Sequence, residues 1–164
     1  MPKIKLISTN RKIVIIITLI IIAFVLITIF FPLLLMRLIP QSGIGNYILE
    51  NLPYGYIAIP IMLYFFYTGI FYYKIKFDSY IIDIRSSRTI FGIFQSPNYI
   101  DIPHTMLIDF SFFNRPYSFN KTLMIKIKTD TGKKIVKRFN LSFLSKKEEK
   151  KISKVLEKII AKNS

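Results

Sequence analysis

The chain has 164 residues, a net charge of +15, 52% hydrophobic residues and a mean hydropathy of +0.42. That hydropathy is above what an ordinary soluble domain reaches, and the length leaves room for one small soluble domain beside membrane segments. The absence of cysteine excludes disulfides and thiolate metal sites.

Residues 1–12 carry Lys3, Lys5, Arg11 and Lys12 and no acid, forming a basic N-terminal segment. Residues 13–36, IVIIITLIIIAFVLITIFFPLLLM, contain no charge and predict a first transmembrane helix. At a rise of ~1.5 Å per residue this run crosses a ~30 Å hydrocarbon core with some tilt. It exceeds the apolar core of a signal peptide, and Phe30-Phe31-Pro32-Leu33-Leu34 offers no small-residue cleavage site, so a retained anchor is expected. Residues 37–52 hold Pro40, Gly43, Gly45 and Asn46 and read as a short external loop.

Residues 53–73 predict a second span that brings the chain back. It opens with Tyr54 and Tyr56 and closes with Phe71-Tyr72-Tyr73, the pattern of aromatic belts at two interfaces. Tyr64 and Tyr67 fall at mid-membrane depth, where a hydroxyl needs a partner such as Thr18 or Thr28. Neither span carries a charge, so no ion pathway is implied. Cations cluster before the first span and after the second, which places both termini in the cytoplasm by the positive-inside rule. Isoleucine is abundant and alanine scarce, the bias of AT-rich coding, so part of the lysine excess has a mutational origin as its alternative explanation.

From Lys74 the apolar pattern alternates. Short runs at 80–85, 88–94, 98–102 and 106–113 predict strands, the last with Met106, Ile108, Phe110 and Phe112 on one face. Residues 121–129 and 133–141 flank Asp130-Thr131-Gly132 and predict a hairpin, with Leu123, Ile125 and Ile127 meeting Ile135, Phe139 and Leu141. Ser145 and Glu148 have capping-box spacing. Ile152, Val155, Leu156, Ile159 and Ile160 then form one helical stripe suited to closing a small β-sandwich or barrel.

Strands followed by one C-terminal amphipathic helix, carried by Phe77–Arg85, the run YIDIPHTMLI at 99–108, KIKTDTGKKI at 126–135 and Phe143–Glu148, resemble a pleckstrin-homology (PH) fold. Residues 74–164 look like the bacterial PH-like domains carried behind a two-helix transmembrane hairpin. The resemblance implies a multi-pass protein of the bacterial cytoplasmic (inner) membrane with a cytoplasmic, non-catalytic binding or scaffolding module. Some members of such families resemble immunity proteins against bacteriocins, which is the alternative function; an accessory subunit of a membrane complex is a more distant one. Lipid-binding PH domains use a basic K-x(n)-[KR]-x-R motif. Lys76, Arg85 and Arg88 are its nearest counterpart here, with two residues between the arginines where the motif has one.

Catalytic signatures are absent: no phosphate-binding glycine loop, no H-E-x-x-H and no G-x-S-x-G occurs, so no enzyme activity and no cofactor are expected. His104, the only histidine, has Asp101 and Asp109 nearby in sequence, a grouping better read as strand-edge hydrogen bonding than as catalysis or metal binding. The aromatic residues of the soluble part sit on apolar strand faces, against a nucleic-acid partner. Lys126 and Lys128 share one face of their strand, and Lys134 and Arg138 share one face of the next. If the hairpin register brings those faces together, four cations contact anionic lipid headgroups beside the bilayer; an unidentified protein partner is the other candidate.

Overall fold

The computed structural model describes residues 5–38, 43, 53–89, 97–129 and 131–163. Two compact units divide the chain: Met1–Val14 with Ile70–Ser164, and Ile15–Gly69.

The first unit is a two-sheet sandwich closed by a helix. Strands β1 (Leu6–Thr9), β2 (Phe71–Phe77), β3 (Ile81–Arg88) and β4 (Asn98–Pro103) form an antiparallel sheet in the order β1-β2-β3-β4. Strands β5 (Leu107–Asn114), β6 (Asn120–Lys128) and β7 (Lys134–Ser142) form a second, in the order β5-β6-β7. Period-two patterning supplies the core: Tyr73, Ile75 and Phe77 of β2 and Ile82 and Ile84 of β3 are buried with Leu123 and Ile125 of β6 and Phe139 and Leu141 of β7. Each such aliphatic or aromatic side chain contributes ~1.5–3 kcal/mol on burial.

The helix Lys146–Asn163 completes the core with Ile152, Leu156 and Ile159. Its capping box forms as the sequence predicts. Glu148 N–H donates to Ser145 Oγ at 3.2 Å, and Ser145 N–H donates to Glu148 Oε2 at 3.3 Å. The predicted hairpin also forms, with Leu123 opposite Phe139, Ile127 opposite Ile135, and Gly132 at φ 79° in the turn. In β5 the inward face departs from strict alternation at one position. A register shift between Leu107 and Asp109 turns Leu107 inward in place of the predicted Ile108, while the predicted Met106, Phe110 and Phe112 pack against the core. The predicted run 88–94 lies mostly outside the described residues.

Two boundaries differ from the sequence reading. Residues 6–9, within the segment read only as a basic N-terminus, pair with β2 in the register Leu6↔Phe77 to Thr9↔Lys74. A strand of only four residues, Leu-Ile-Ser-Thr, reads as a strand only when its partner is known. Residues 71–73, assigned to the second span and an interfacial belt, instead open β2, and Tyr73 is fully buried opposite Ser86. The break comes at Gly69, whose φ of 68° ends the preceding helix with its N–H donating to the Phe65 carbonyl at 3.0 Å. The sandwich unit therefore takes in residues before the helices and does not start at Lys74.

The second unit is helical. Helix α1 (Arg11–Val25), whose first turn belongs to the sandwich unit, continues through a π-helical turn (Leu26–Phe30) into α2 (Phe31–Leu38); α3 spans Pro53–Thr68, and the terminal helix is α4. Pro32 has no N–H to offer the carbonyl one turn back, and the wider π turn sits at that point of the ladder. Thr28 Oγ1 donates to the Phe24 carbonyl at 2.6 Å, within its own helix, and Tyr67 is 88% exposed. Among the described residues one helix, Arg11–Thr28, is long and apolar enough to cross a membrane; the apolar stretch Ile59–Thr68 of α3 is shorter. The predicted external loop falls largely outside the described residues.

Candidate functional site

Three groups of residues stand out, and sequence spacing signals only one of them. The first is a buried polar clasp. Asn10, 2% exposed, joins three backbone groups: its Nδ2 donates to the carbonyls of Phe71 at 2.8 Å and Ser142 at 2.9 Å, and its Oδ1 accepts from Tyr73 N–H at 2.9 Å. Its own carbonyl accepts from Val14 N–H at 3.0 Å in the first turn of α1. Ser142 Oγ accepts from Phe71 N–H at 2.7 Å and donates to Asn120 Oδ1. The carbonyl of Ile70 accepts from both the amide and the hydroxyl of Thr89. The chain thus leaves the sandwich after β1 and returns to it before β2 at one point, and side chains from β6 and β7 lock that point. Burial pushes the Tyr73 phenol up to about 12, with the Ser8 hydroxyl acting the other way.

The second group is the basic face of the hairpin. Lys128 stands opposite Lys134, Lys126 opposite Val136, and Arg138 opposite Met124. Directly opposed residues share a face, so Lys126, Lys128, Lys134 and Arg138 all lie on the outer face of the second sheet, each exposed. Asp109 of β5 sits on the same face and meets Lys126 Nζ at 2.8 Å. That hydrogen bond, aided by the Phe110 amide, holds the Asp109 carboxyl below the usual carboxylate range. Lys128, Lys134 and Arg138 make no ion pair among the described residues. The third group is the β5–β6 loop, whose exposed aromatic side chains have no counterpart in any sequence motif.

Other predicted groupings do not assemble. Asp109 is committed to Lys126, and Asp101 stands opposite Asp83 in the first sheet. The backbone of His104 donates to the Tyr80 carbonyl at 2.9 Å and accepts from Asn163 Nδ2 at 2.6 Å. No cluster of metal-ligating side chains exists among the described residues. Of the motif-like trio, Lys76 pairs with Asp78 at 3.1 Å and Arg85 with Asp83 at 3.0 Å, whereas Arg88, three residues along β3, falls on the opposite face from Arg85. No family model, no curated protein and no solved structure matches the chain.

Proposed function

We propose that the chain is a non-catalytic protein of the bacterial inner membrane, anchored by a hairpin of two spans, with its sandwich acting as a PH-like binding module at the cytoplasmic face. The carrying observation is the Asn10 clasp. Because Asn10 bonds to Phe71 and Ser142, a chain that leaves across the bilayer along α1 must cross back before Phe71. The apolar segment available for the return contains α3, whose 16 residues cover ~24 Å. Cations at Arg11 and Lys12 and through 74–164 favour the cytoplasmic side for the sandwich. Among the described residues, seven strands in sheets of four and three, followed by one closing helix, support the PH-like reading.

The chain's lack of cysteine makes the topology directly testable. A cysteine introduced within residues 41–46 is expected to react with an impermeant maleimide from outside the cell, and one after Lys162 only after permeabilisation; the reverse pattern overturns the topology.

The basic face is the binding surface in this proposal, and anionic headgroups are its ligand. Cations near an anionic leaflet contribute ~1 kcal/mol each within a Debye length. Val136 lies among them, so a Val136→Cys variant reports on that face. Its labelling in reconstituted membranes is expected to slow when anionic lipid is present. Replacing Lys126, Lys128, Lys134 and Arg138 with glutamine should abolish that slowing. Equal rates with and without anionic lipid would assign the face to an acidic protein partner.

One observation favours bacteriocin-type immunity as a second reading. A cleft of about 260 Å³ lies between α1 and α3, lined only by apolar side chains including Ile17, Ile20, Phe24, Ile61 and Phe65, a fit for the apolar face of a membrane-active peptide. Expression should then raise resistance of a sensitive host, and unchanged inhibitory concentrations across such peptides would exclude it.

A further inference from the structure

We propose that the β5–β6 loop inserts Tyr117, Phe119 and the adjoining Phe113 into the headgroup region of the leaflet, so that this end of the sandwich is the one seated on the bilayer. The inference rests on the hairpin-anchored reading above and adds the surface through which the sandwich meets lipid. Its first support is position. Asn120, at the end of the loop, pairs with Ser142, whose carbonyl accepts from Asn10; Phe143 N–H donates to the Phe119 carbonyl at 3.0 Å. The loop therefore lies beside the point where α1 departs.

Its second support is exposure. Tyr117 is 93% exposed, Phe119 55% and Phe113 50%. Tyr117 also holds φ at 55°, a conformation that asparagine or glycine adopts more readily than a bulky aromatic residue. An aromatic ring kept outward against backbone preference points to a role for the ring itself. Phe119 stacks on Phe143, with centroids 5.4 Å apart and planes at 27°.

Charge is the third. Arg115 lies within the loop, Arg11 and Lys12 are exposed in the first turn of α1, and no acid occurs between Asp109 and Asp130. Aromatic rings interspersed with arginine and lysine are the composition that settles at headgroup depth on an anionic leaflet. Phe113 shares its sheet face with Asp109 and so with the basic hairpin, which makes loop and cations one continuous surface. At the opposite end of β2, Tyr80 is 77% exposed, but it stands beside an acid, Asp78, that pairs with Lys76.

The chain has no tryptophan, so a single one is a clean probe. Tyr117→Trp and, as a control, Tyr80→Trp are introduced into the full-length protein reconstituted in nanodiscs of mixed neutral and anionic lipid. Lipid brominated near the glycerol end of its chains is expected to remove more than half of the Tyr117→Trp emission, which is already shifted to shorter wavelength, and to leave Tyr80→Trp nearly unchanged. Equal, water-like emission at both positions overturns the inference. So does a blue-shifted Tyr117→Trp that brominated lipid does not quench, since the loop then packs on protein. The cysteine within 41–46 is labelled in the same preparations. If that labelling shows the hairpin crossing while Tyr117→Trp stays unquenched, only the loop assignment fails; if the hairpin does not cross, both readings fail.

Discussion

At the residue scale, the smallest change with the widest effect is at Asn10. Asn10→Ala strands the carbonyls of Phe71 and Ser142 and the amide of Tyr73 in a buried neck. Each buried polar group left unpaired costs ~1–3 kcal/mol, so thermal melting in detergent is expected to fall by several degrees. Asn10→Asp keeps an acceptor for Tyr73 but turns a carboxylate toward two carbonyls, and should destabilise at least as much. Tyr117→Asn goes the other way: relief of an unfavourable positive φ is worth ~1 kcal/mol, read as a higher melting temperature in detergent, where no bilayer rewards the ring. His104 supplies a pH dependence. Burial lowers its pKa from the ordinary 6.5, against backbone hydrogen bonds at Ile81 and Asp78 that raise it, and Lys162 adds to the lowering. The folded state then binds fewer protons than the unfolded state below that value. The contribution of His104 is accordingly full above pH 6.5 and is lost as the pH falls from there through the lowered folded-state value. His104→Gln should flatten the melting curve between pH 5 and 7 if this residue is the cause.

At the element scale, α4 and the hairpin behave as independent statements of amphipathic pattern. The stripe Ile152, Leu156 and Ile159 is fully buried, while the lysines between them face water. Leu156→Asp places a charge without a partner in that core and is expected to cost ~3–5 kcal/mol, detected as loss of the cooperative melt. Lys158→Asp, on the exposed side, should change stability by less than ~0.5 kcal/mol. The hairpin and the capping box are as readable in the sequence as α4, because each is decided by residues within a few positions of one another. The inward turn of Leu107 together with Phe110 is not, since it depends on a bulge set by the partner strand β6.

At the scale of the whole molecule, the helical unit Ile15–Gly69 is an insertion between two neighbouring strands of one sheet. Residues 74–164 alone would lack β1, Tyr73 and the clasp, leaving an open edge on β2 and an incomplete core. A chain in which residues 1–10 join 70–164 through a short turn should fold as a soluble sandwich, because the ends to be joined are already in contact. Circular dichroism and a single thermal transition check this. The shorter 74–164 fragment should aggregate or melt without cooperativity, and equal behaviour of the two fragments would show that β1 contributes nothing.

The sequence by itself determined the elements whose information is local: the uncharged run from Ile13, the hairpin at Gly132, the Ser145–Glu148 cap and the striped terminal helix. It also placed Lys126 with Lys128 and Lys134 with Arg138, since a strand's period of two is independent of its surroundings. Tertiary structure alone decided that these pairs share a face, because register is a property of two strands. It alone made Leu6–Thr9 a strand, since its partner lies beyond the whole helical excursion, and that pairing is what holds the two ends of the excursion together. Asn10 is one polar residue beside a long apolar run, and its three backbone partners lie more than sixty positions away, where no local pattern reaches.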